Sequence, residues 1–521
     1  MKTKQLFFCS LTGLALLTAS CSSNDEALNG GDGTTSEGKT YAQIAISVAN
    51  SATTRTTTPG KTGDEAYGDD AEYTVKDLTV VLANENDIAM QVITPTLKTA
   101  TNTDDDDKLV RVTEPFKCTP GTYKVYVLAN YKNSQDALTP IIKGSTDMKA
   151  EFGITNIAKL STTDEFFMTN VSAPERQEIK EAATGKELND AGKDETKEGA
   201  ATNLNILTVN VERAVSKVTF DNTDNQSFNV MVGDNKIATA TLEGASLINL
   251  NKKMYLVKEG TLAMNRPVVT NDWPYPKDPN YNETSINAAY CETNFEQRIA
   301  TDFSAPSNAT FYCPENTMEA SAQLNGQTTG VVYKVKYVPE GAYYTELAAE
   351  NGTDSYSQMF KKVLALTKKN AAITPTIFTT TDNTEGTFYS YNGYVFKSKA
   401  GACLYKAIAT NKDDKAETVN TDFTKSMSEN DDDIQTYAEG YCYYTAWIKH
   451  NPTSTVTMQQ DKYGVVRNFW YELKVNSIKK LGYSKPTYKD PKDPDDKAEA
   501  SIQVQVNIKK WRLVKQNVDL E

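Results

Sequence analysis

Two stretches near opposite ends of the chain alternate apolar and polar residues without a break. Tyr41–Val48 reads YAQIAISV, with Ala42, Ile44, Ile46 and Val48 on one side. Ser501–Ile508 reads SIQVQVNI, with Ile502, Val504, Val506 and Ile508 on one side. A period of two places alternate side chains on one face of a strand; a helix would scatter them around its circumference. Similar runs recur at Val75–Ala83, Ile88–Ile93, Leu109–Thr113, Tyr123–Ala129, Leu204–Phe220 and Ala238–Leu250. They continue at Val331–Val338, Thr387–Lys397, Tyr441–Lys449 and Phe469–Ile478. Polar, turn-rich segments separate them, and helical spacing appears at Tyr356–Asn370. Short strands at this density predict an all-β chain built of sandwiches, with short helices in loops. No fixed-period repeat is visible, which argues against solenoids and propellers.

The 521 residues suffice for two or three domains. A formal net charge of −13 argues against nucleic acid, which needs a basic face. The single histidine, His450, lies in a strand-like run and is read as structural, so histidine-based catalysis has almost no material. G-x-S-x-G, H-E-x-x-H and P-loop motifs are absent. No cofactor or metal is expected. Seven cysteines include no C-x-x-C pair, which argues against a zinc knuckle. Cys118, Cys291, Cys313, Cys403 and Cys442 read as buried thiols, with a Cys291–Cys313 disulfide as the alternative. The aspartate run in Thr101–Lys108 lacks the spaced ligands and glycine of an EF-hand and reads as a solvated turn.

Both ends carry unusual features. Lys2 and Lys4 precede an apolar stretch, Leu6–Leu17, too short to span a bilayer as a helix. Thr18, Ala19, Ser20 and Cys21 follow, and the junction looks like a bacterial lipobox. Residues 1–20 are therefore expected to be a signal peptide and Cys21 the acylated first residue. Residues 22–40 are rich in Gly, Ser and Asp and have the composition of a tether. After the first strand comes a polar loop holding Arg55, the only arginine before Arg111. At the other end Trp511, Leu513, Val514, Val518 and Leu520 form an apolar terminal segment with no obvious neighbour.

Several short blocks resemble one family. They are Pro120–Asn130 (PGTYKVYVLAN), Phe166–Asn170 (FFMTN), Val211–Val218 (VERAVSKV), Phe311–Thr317 (FYCPENT), Tyr441–Tyr444 with Trp447–His450, and Gly464–Asn468 (GVVRN). With the lipobox, they resemble the type V fimbrillins, lipoprotein major pilin subunits, and among these the larger shaft subunits of minor fimbriae. The resemblance implies two transthyretin-like β-sandwich domains in tandem, residues 56–222 and 223–509. It implies export to the outer membrane as a lipoprotein. An arginine-specific protease would cut between Arg55 and Thr56, removing a propeptide of residues 21–55. The displaced strand would carry Ile44, Ile46 and Val48 with it. The tail of another copy, residues 510–521, would fill the vacated groove as a donor strand. Partners would be further copies and accessory fimbrial subunits, and the product would be an adhesive, non-enzymatic fibre. Two other readings compete: an accessory anchor or tip subunit, and a glycan-binding surface lipoprotein.

Overall fold

The computed structural model describes residues 40–48, 65–98, 110–181, 205–222, 226–260, 275–299, 303–306, 309–341, 385–411, 416–429, 431–486, 490–497 and 502–512. All of them fall within one compact unit. The chain is all-β, with short helices between strands.

The first sheet has nine strands: β1 (Thr40–Val48), then β3 (Leu78–Ala83), β4 (Ala89–Ile93), β5 (Val110–Val112), β6 (Phe116–Cys118), β7 (Gly121–Ala129), β8 (Met168–Asn170), β9 (Arg176–Ile179) and β10 (Asn205–Arg213). The short β2 (Glu65–Tyr67) belongs elsewhere. The spatial order is β4-β3-β7-β8-β10-β1-β5, with β9 on β7 and β6 on β1. Val80, Leu82, Val125, Val127, Leu207 and Val211 meet in its core. Two asparagines bind the sheet where strands are short. Asn170 accepts from Val127 N at 2.7 Å and donates to Val125 O at 3.0 Å. Asn130, at φ 55°, accepts from Lys76 N and donates to Thr74 O and Phe166 O, each at 2.8 Å. Left-handed backbone suits asparagine among non-glycine residues.

At Ala214 the chain changes sheets. The run expected as one strand, Leu204–Phe220, is two: β10 in the first sheet and β11 (Val215–Phe220) in the second. Six residues of that run, Val215–Phe220, therefore pair in the second sheet. Beyond β11 come β12 (Ser227–Val232), β13 (Asn235–Ile248), β14 (Thr310–Pro314), β15 (Gly330–Pro339), β16 (Tyr441–Trp447), β17 (Phe469–Ile478) and β18 (Ile502–Arg512). The second sheet runs β2-β18-β17-β11-β14 and the third β12-β13-β15-β16. Phe220 of β11 meets Phe311 of β14 and Tyr333 of β15 edge-on, at 5.9 and 6.0 Å between centroids, joining the two sheets in one core.

Between β15 and β16 lies a small module with its own apolar clusters. A three-stranded sheet (388–391, 394–396 and 435–437) packs on α1 (Lys399–Thr410), and α1 packs on α2 (Ala416–Ser428). Neither helix was expected. The run Thr387–Lys397, expected as one strand, folds back at Asn392-Gly393, both with positive φ. The helix expected at Tyr356–Asn370 lies outside the described residues.

Phe220 is 8% exposed and holds two sheets together. Phe220→Ala should cost about 3–5 kcal/mol of stability, measured by urea denaturation of the precursor.

Candidate functional site

The seat of β1 is the feature from which function can be argued. Strand β1 is interior, with partners on both edges. Residues 42–48 pair in parallel with residues 205–211 of β10. On the other side Ala45–Ser47 pair antiparallel with β5 and Thr40–Ala42 with β6. Between these two short ladders Thr113 N donates to Ile44 O at 2.9 Å, and Ile44 N donates to Thr113 Oγ1 at 3.1 Å. Gln43 Nε2 donates to Thr113 O at 2.7 Å. At the strand's start Thr40 Oγ1 donates to Lys180 O at 2.8 Å and Asn205 Nδ2 to Tyr41 O at 3.0 Å.

The alternation read from the sequence is the alternation of burial. Ala42, Ile44 and Ile46 are 0% exposed and Val48 is 2% exposed, while Gln43, Ala45 and Ser47 are intermediate. Burying Ile44, Ile46 and Val48 contributes about 1.5–3 kcal/mol each, as an upper estimate. Removing the strand would uncover Leu207, Val209, Val211 and Phe116, all now buried in the same core.

The chain then crosses between sheets. β1 lies in the first, whereas β2 lies in the second and pairs in parallel with the end of β18: Glu65 with Lys510, Ala66 with Trp511, Tyr67 with Arg512. The linking segment, residues 49–64, contains Arg55 and Thr56 and lies outside the described residues, as do Cys21, Leu513, Val514, Val518 and Leu520. Trp511 is inside β18, so the terminal strand runs past the expected donor boundary at residue 510.

Past β2 the chain is held by a buried ion cluster. Glu72, with a side chain 2% exposed, accepts from Lys217 Nζ at 2.6 Å and from the Tyr312 hydroxyl at 2.5 Å through Oε1. Its Oε2 accepts from Asp69 N at 3.0 Å. The Lys217 ammonium also lies 4.2 Å from the Trp470 ring centroid. Burial, and then the Glu72 carboxylate, push the Tyr312 phenol well above its ordinary value. A second buried pair joins neighbouring segments: Arg467 meets Glu315 at 3.3 Å and donates to Leu256 O and Tyr255 O at 3.1 and 2.7 Å. Lys258 pairs with Glu212 at 2.8 Å. Lys217, Tyr312, Glu315 and Arg467 lie in the blocks quoted above but were given no role there, and Glu72, in a polar turn, was not singled out.

His450 has the structural role expected. It is 2% exposed and ringed by Tyr275, Phe469 and Tyr471. The Tyr471 hydroxyl accepts from Val466 N at 2.8 Å and shares a hydrogen bond with His450 Nδ1, 2.7 Å away, whose direction is set by the imidazole tautomer. Among the described residues no group of three or more His, Cys, Asp and Glu side chains is placed to hold a metal, and no helix is long and apolar enough to cross a membrane. Gly464 explains one of the matched blocks: at φ +115° an added Cβ would sit 2.7 Å from Asn316 O. Asn316 itself donates to Gln327 O at 2.7 Å and to Thr329 Oγ1 at 2.8 Å.

The five cysteines after residue 21 are buried and outside any disulfide, so the Cys291–Cys313 alternative is not formed. Burial pushes Cys118 and Cys442 up to about 12 and Cys313 to about 11.

Residues 42–254 match the model described as major fimbrial subunit protein (FimA). Residues 435–517 match that described as major fimbrial subunit protein type IV, fimbrillin, C-terminal. Together they take in more than half of the chain. It belongs to the fimbrillins, the major fimbrial subunit proteins, a structural and non-enzymatic class; the resemblance to type V fimbrillins is consistent with that membership. No curated protein sequence matches. Among solved structures, a proposed cell adhesion protein from Parabacteroides distasonis is similar at 10% identity, covering 92% of this chain and 99% of that one, with a TM-score of 0.42. A fimbrilin (fimA) from Porphyromonas gingivalis is similar at 13% identity over 92% and 100%, with a TM-score of 0.39. The fimbrial anchor protein Mfa2 from Porphyromonas gingivalis is similar at 11% identity over 57% and 77%, with a TM-score of 0.22. Likeness of this order is not evidence of function.

Two outcomes are expected. Glu72→Ala would leave Lys217 buried without its carboxylate and should cost about 3–5 kcal/mol in urea denaturation. A chain beginning at Thr56 should, when native, be silent to a thiol reagent at pH 8 and titrate five equivalents, from the five buried thiols, on unfolding in guanidinium.

Proposed function

We propose that this fimbrial subunit forms the shaft of a surface fimbria, polymerising when β1 is cut away and replaced by the tail of a neighbouring copy. The single observation that carries this reading is the seat of β1. It fills a core position with four inward side chains, yet its covalent successor, β2, belongs to a different sheet. One cut in residues 49–64 would separate β1 from the rest of the chain. Each sheet would keep the covalent connections of its other strands. The Glu72 cluster supports this, because it would hold the segment after the cut against β11 and β14.

In this reading Cys21 is acylated and tethers the precursor to the outer membrane. Three acyl chains, at about 0.8 kcal/mol per buried methylene, make that attachment firm. An arginine-specific protease cuts between Arg55 and Thr56, and the mature chain begins at Thr56. Two sandwiches in tandem then join copy to copy. The donor lies beyond β18, with Leu513, Val514, Val518 and Leu520 as its apolar residues; Trp511 pairs with Ala66 of its own chain and drops out of the expected set. Filling a strand vacancy by main-chain pairing plus alternate side chains is an established mode of β-augmentation. An empty seat would leave two unpaired edges, which sheets tolerate poorly.

Arg55→Ala should yield an exported precursor with its N-terminal segment intact and no oligomer ladder on an unboiled gel. Wild-type fibres should begin at Thr56 by Edman sequencing. Fibres that begin at Cys21 would instead identify an anchor subunit that keeps β1. A clickable fatty acid should label the wild-type precursor and not Cys21→Ala, and equal labelling of both would sink the lipid assignment. Cutting alone should not release β1, because both of its ladders survive the cut. Native mass spectrometry of the nicked protein should find the β1 peptide still bound until a tail is supplied.

A further inference from the structure

We infer that Thr113 is the positioning residue of the β1 seat: at a β-bulge that breaks the backbone ladder, its hydroxyl takes the Ile44 amide and so sets how firmly β1 is held. The consequence for assembly rests on the strand-exchange reading; the hold on β1 does not.

Strands β5 and β6 are two halves of one edge that changes step. Ala45 lies opposite Val112 on β5, and Ala42 lies opposite Phe116 on β6. Two residues of β1, Gln43 and Ile44, therefore face three, Thr113, Glu114 and Pro115. One extra residue on one strand is a β-bulge, and it reverses which parity faces inward. On β5 the even-numbered Val110 is 47% exposed, whereas on β6 the even-numbered Phe116 and Cys118 are 7% and 2% exposed. Without the bulge Phe116 and Cys118 would turn away from the core that β1 covers.

The bulge cannot complete the ladder with backbone alone. Glu114 N is turned away from β1 and donates to Thr96 O at 2.7 Å, and Pro115 has no N–H. Thr113 makes up the difference. Its N donates to Ile44 O at 2.9 Å, and its Oγ1 accepts from Ile44 N at 3.1 Å. Its O accepts from Gln43 Nε2 at 2.7 Å, a side-chain bond in a place where the regular ladder is interrupted. Thr113 and Ile44 are both 0% exposed, so water does not replace a lost acceptor there.

The other side of the bulge is fastened. Lys98 N donates to Val112 O at 2.8 Å, and Leu97 bridges to Thr113. The bulge is therefore held at one place along the edge. In an extended strand the N–H and C=O of one residue point to the same side, so both backbone groups of Ile44 depend on Thr113 and neither is shared with β10. A strand in this seat must offer an N–H at the place of Ile44, which excludes proline.

The first test needs no cut and no second copy. Hydrogen–deuterium exchange of residues 40–48 is followed by mass spectrometry in the uncut, full-length precursor. Thr113→Val keeps the side-chain shape and removes the acceptor. It should speed exchange across β1 at least about fivefold, the low end for one orphaned buried amide. Thr113→Ser keeps the oxygen and should stay within about twofold of wild type. Residues 469–478 of β17, in another sheet, report general loosening and should exchange as in wild type. Equal acceleration in β1 and β17, or failure of serine to rescue, overturns the role given to the hydroxyl. So does a Thr113→Val precursor whose β1 exchanges at the wild-type rate. A second measurement addresses assembly. After cutting within residues 49–64, Thr113→Val should lose the β1 peptide faster than wild type by native mass spectrometry. If the precursor responds as expected but neither β1 loss nor the oligomer ladder changes, Thr113 still holds β1 and the strand-exchange reading fails.

Discussion

Ile44 and Ile46 lose all solvent exposure because β1 is flanked on both edges, by β10 along its length and by β5 and β6 in turn. An edge strand with the same sequence would keep one row of backbone groups open to water and could be peeled from that side. Here the first sheet is continuous only while the seat is filled. With β1 gone, β10 would face β5 and β6 across a gap one strand wide, which is about 10 Å between the flanking backbones. The buried faces of Leu207, Val209 and Val211 would open with it. Everything else proposed for this subunit follows from how that gap is kept closed.

The junction at Ala214 is the second constraint. The chain passes there from one sheet to the next without a loop, and the residues around it carry charge into the interior. Glu72, Lys217 and Tyr312 come from three distant parts of the sequence, and Arg467 with Glu315 from two more. Such pairs are weak sources of net stability, since desolvation offsets most of their attraction, but losing one partner is costly. Their value here is positional. They fix where the segment after β2 lies, and three of the short blocks that resemble fimbrillins, VERAVSKV, FYCPENT and GVVRN, contribute to this junction.

How much was legible depended on whether the signal was local. The strict alternation in Tyr41–Val48 and Ser501–Ile508 translated directly into β1 and most of β18, because period-two burial is written residue by residue. The break at Ala214 was not visible, since Leu204–Phe220 keeps strand character throughout and only the partners change. Asn392-Gly393 carried a hairpin signal that a longer apolar run obscured. Helix α1 was missed because its small buried residues, among them Ala400, Gly401 and Ala402, weaken the helical period. The extension of β18 to Arg512 could not be read because its partner, β2, is three residues long and more than four hundred residues away. Alternation alone put Ile44, Ile46 and Val48 on the buried face of a strand, which is where they lie; the Glu72 cluster needed the fold.

The arrangement of ladders around β1 has a mechanical side. Inter-strand hydrogen bonds stand across the strand axis, and β1 has them on both edges along nearly its whole length. A pull along that axis loads those bonds together, in shear, instead of opening them one after another as a zip. Any strand that occupies this seat in the same manner inherits that geometry. A seat so built resists tension along the strand it holds, because all of its ladder bonds carry the load together, whereas peeling from one end would break them one pair at a time.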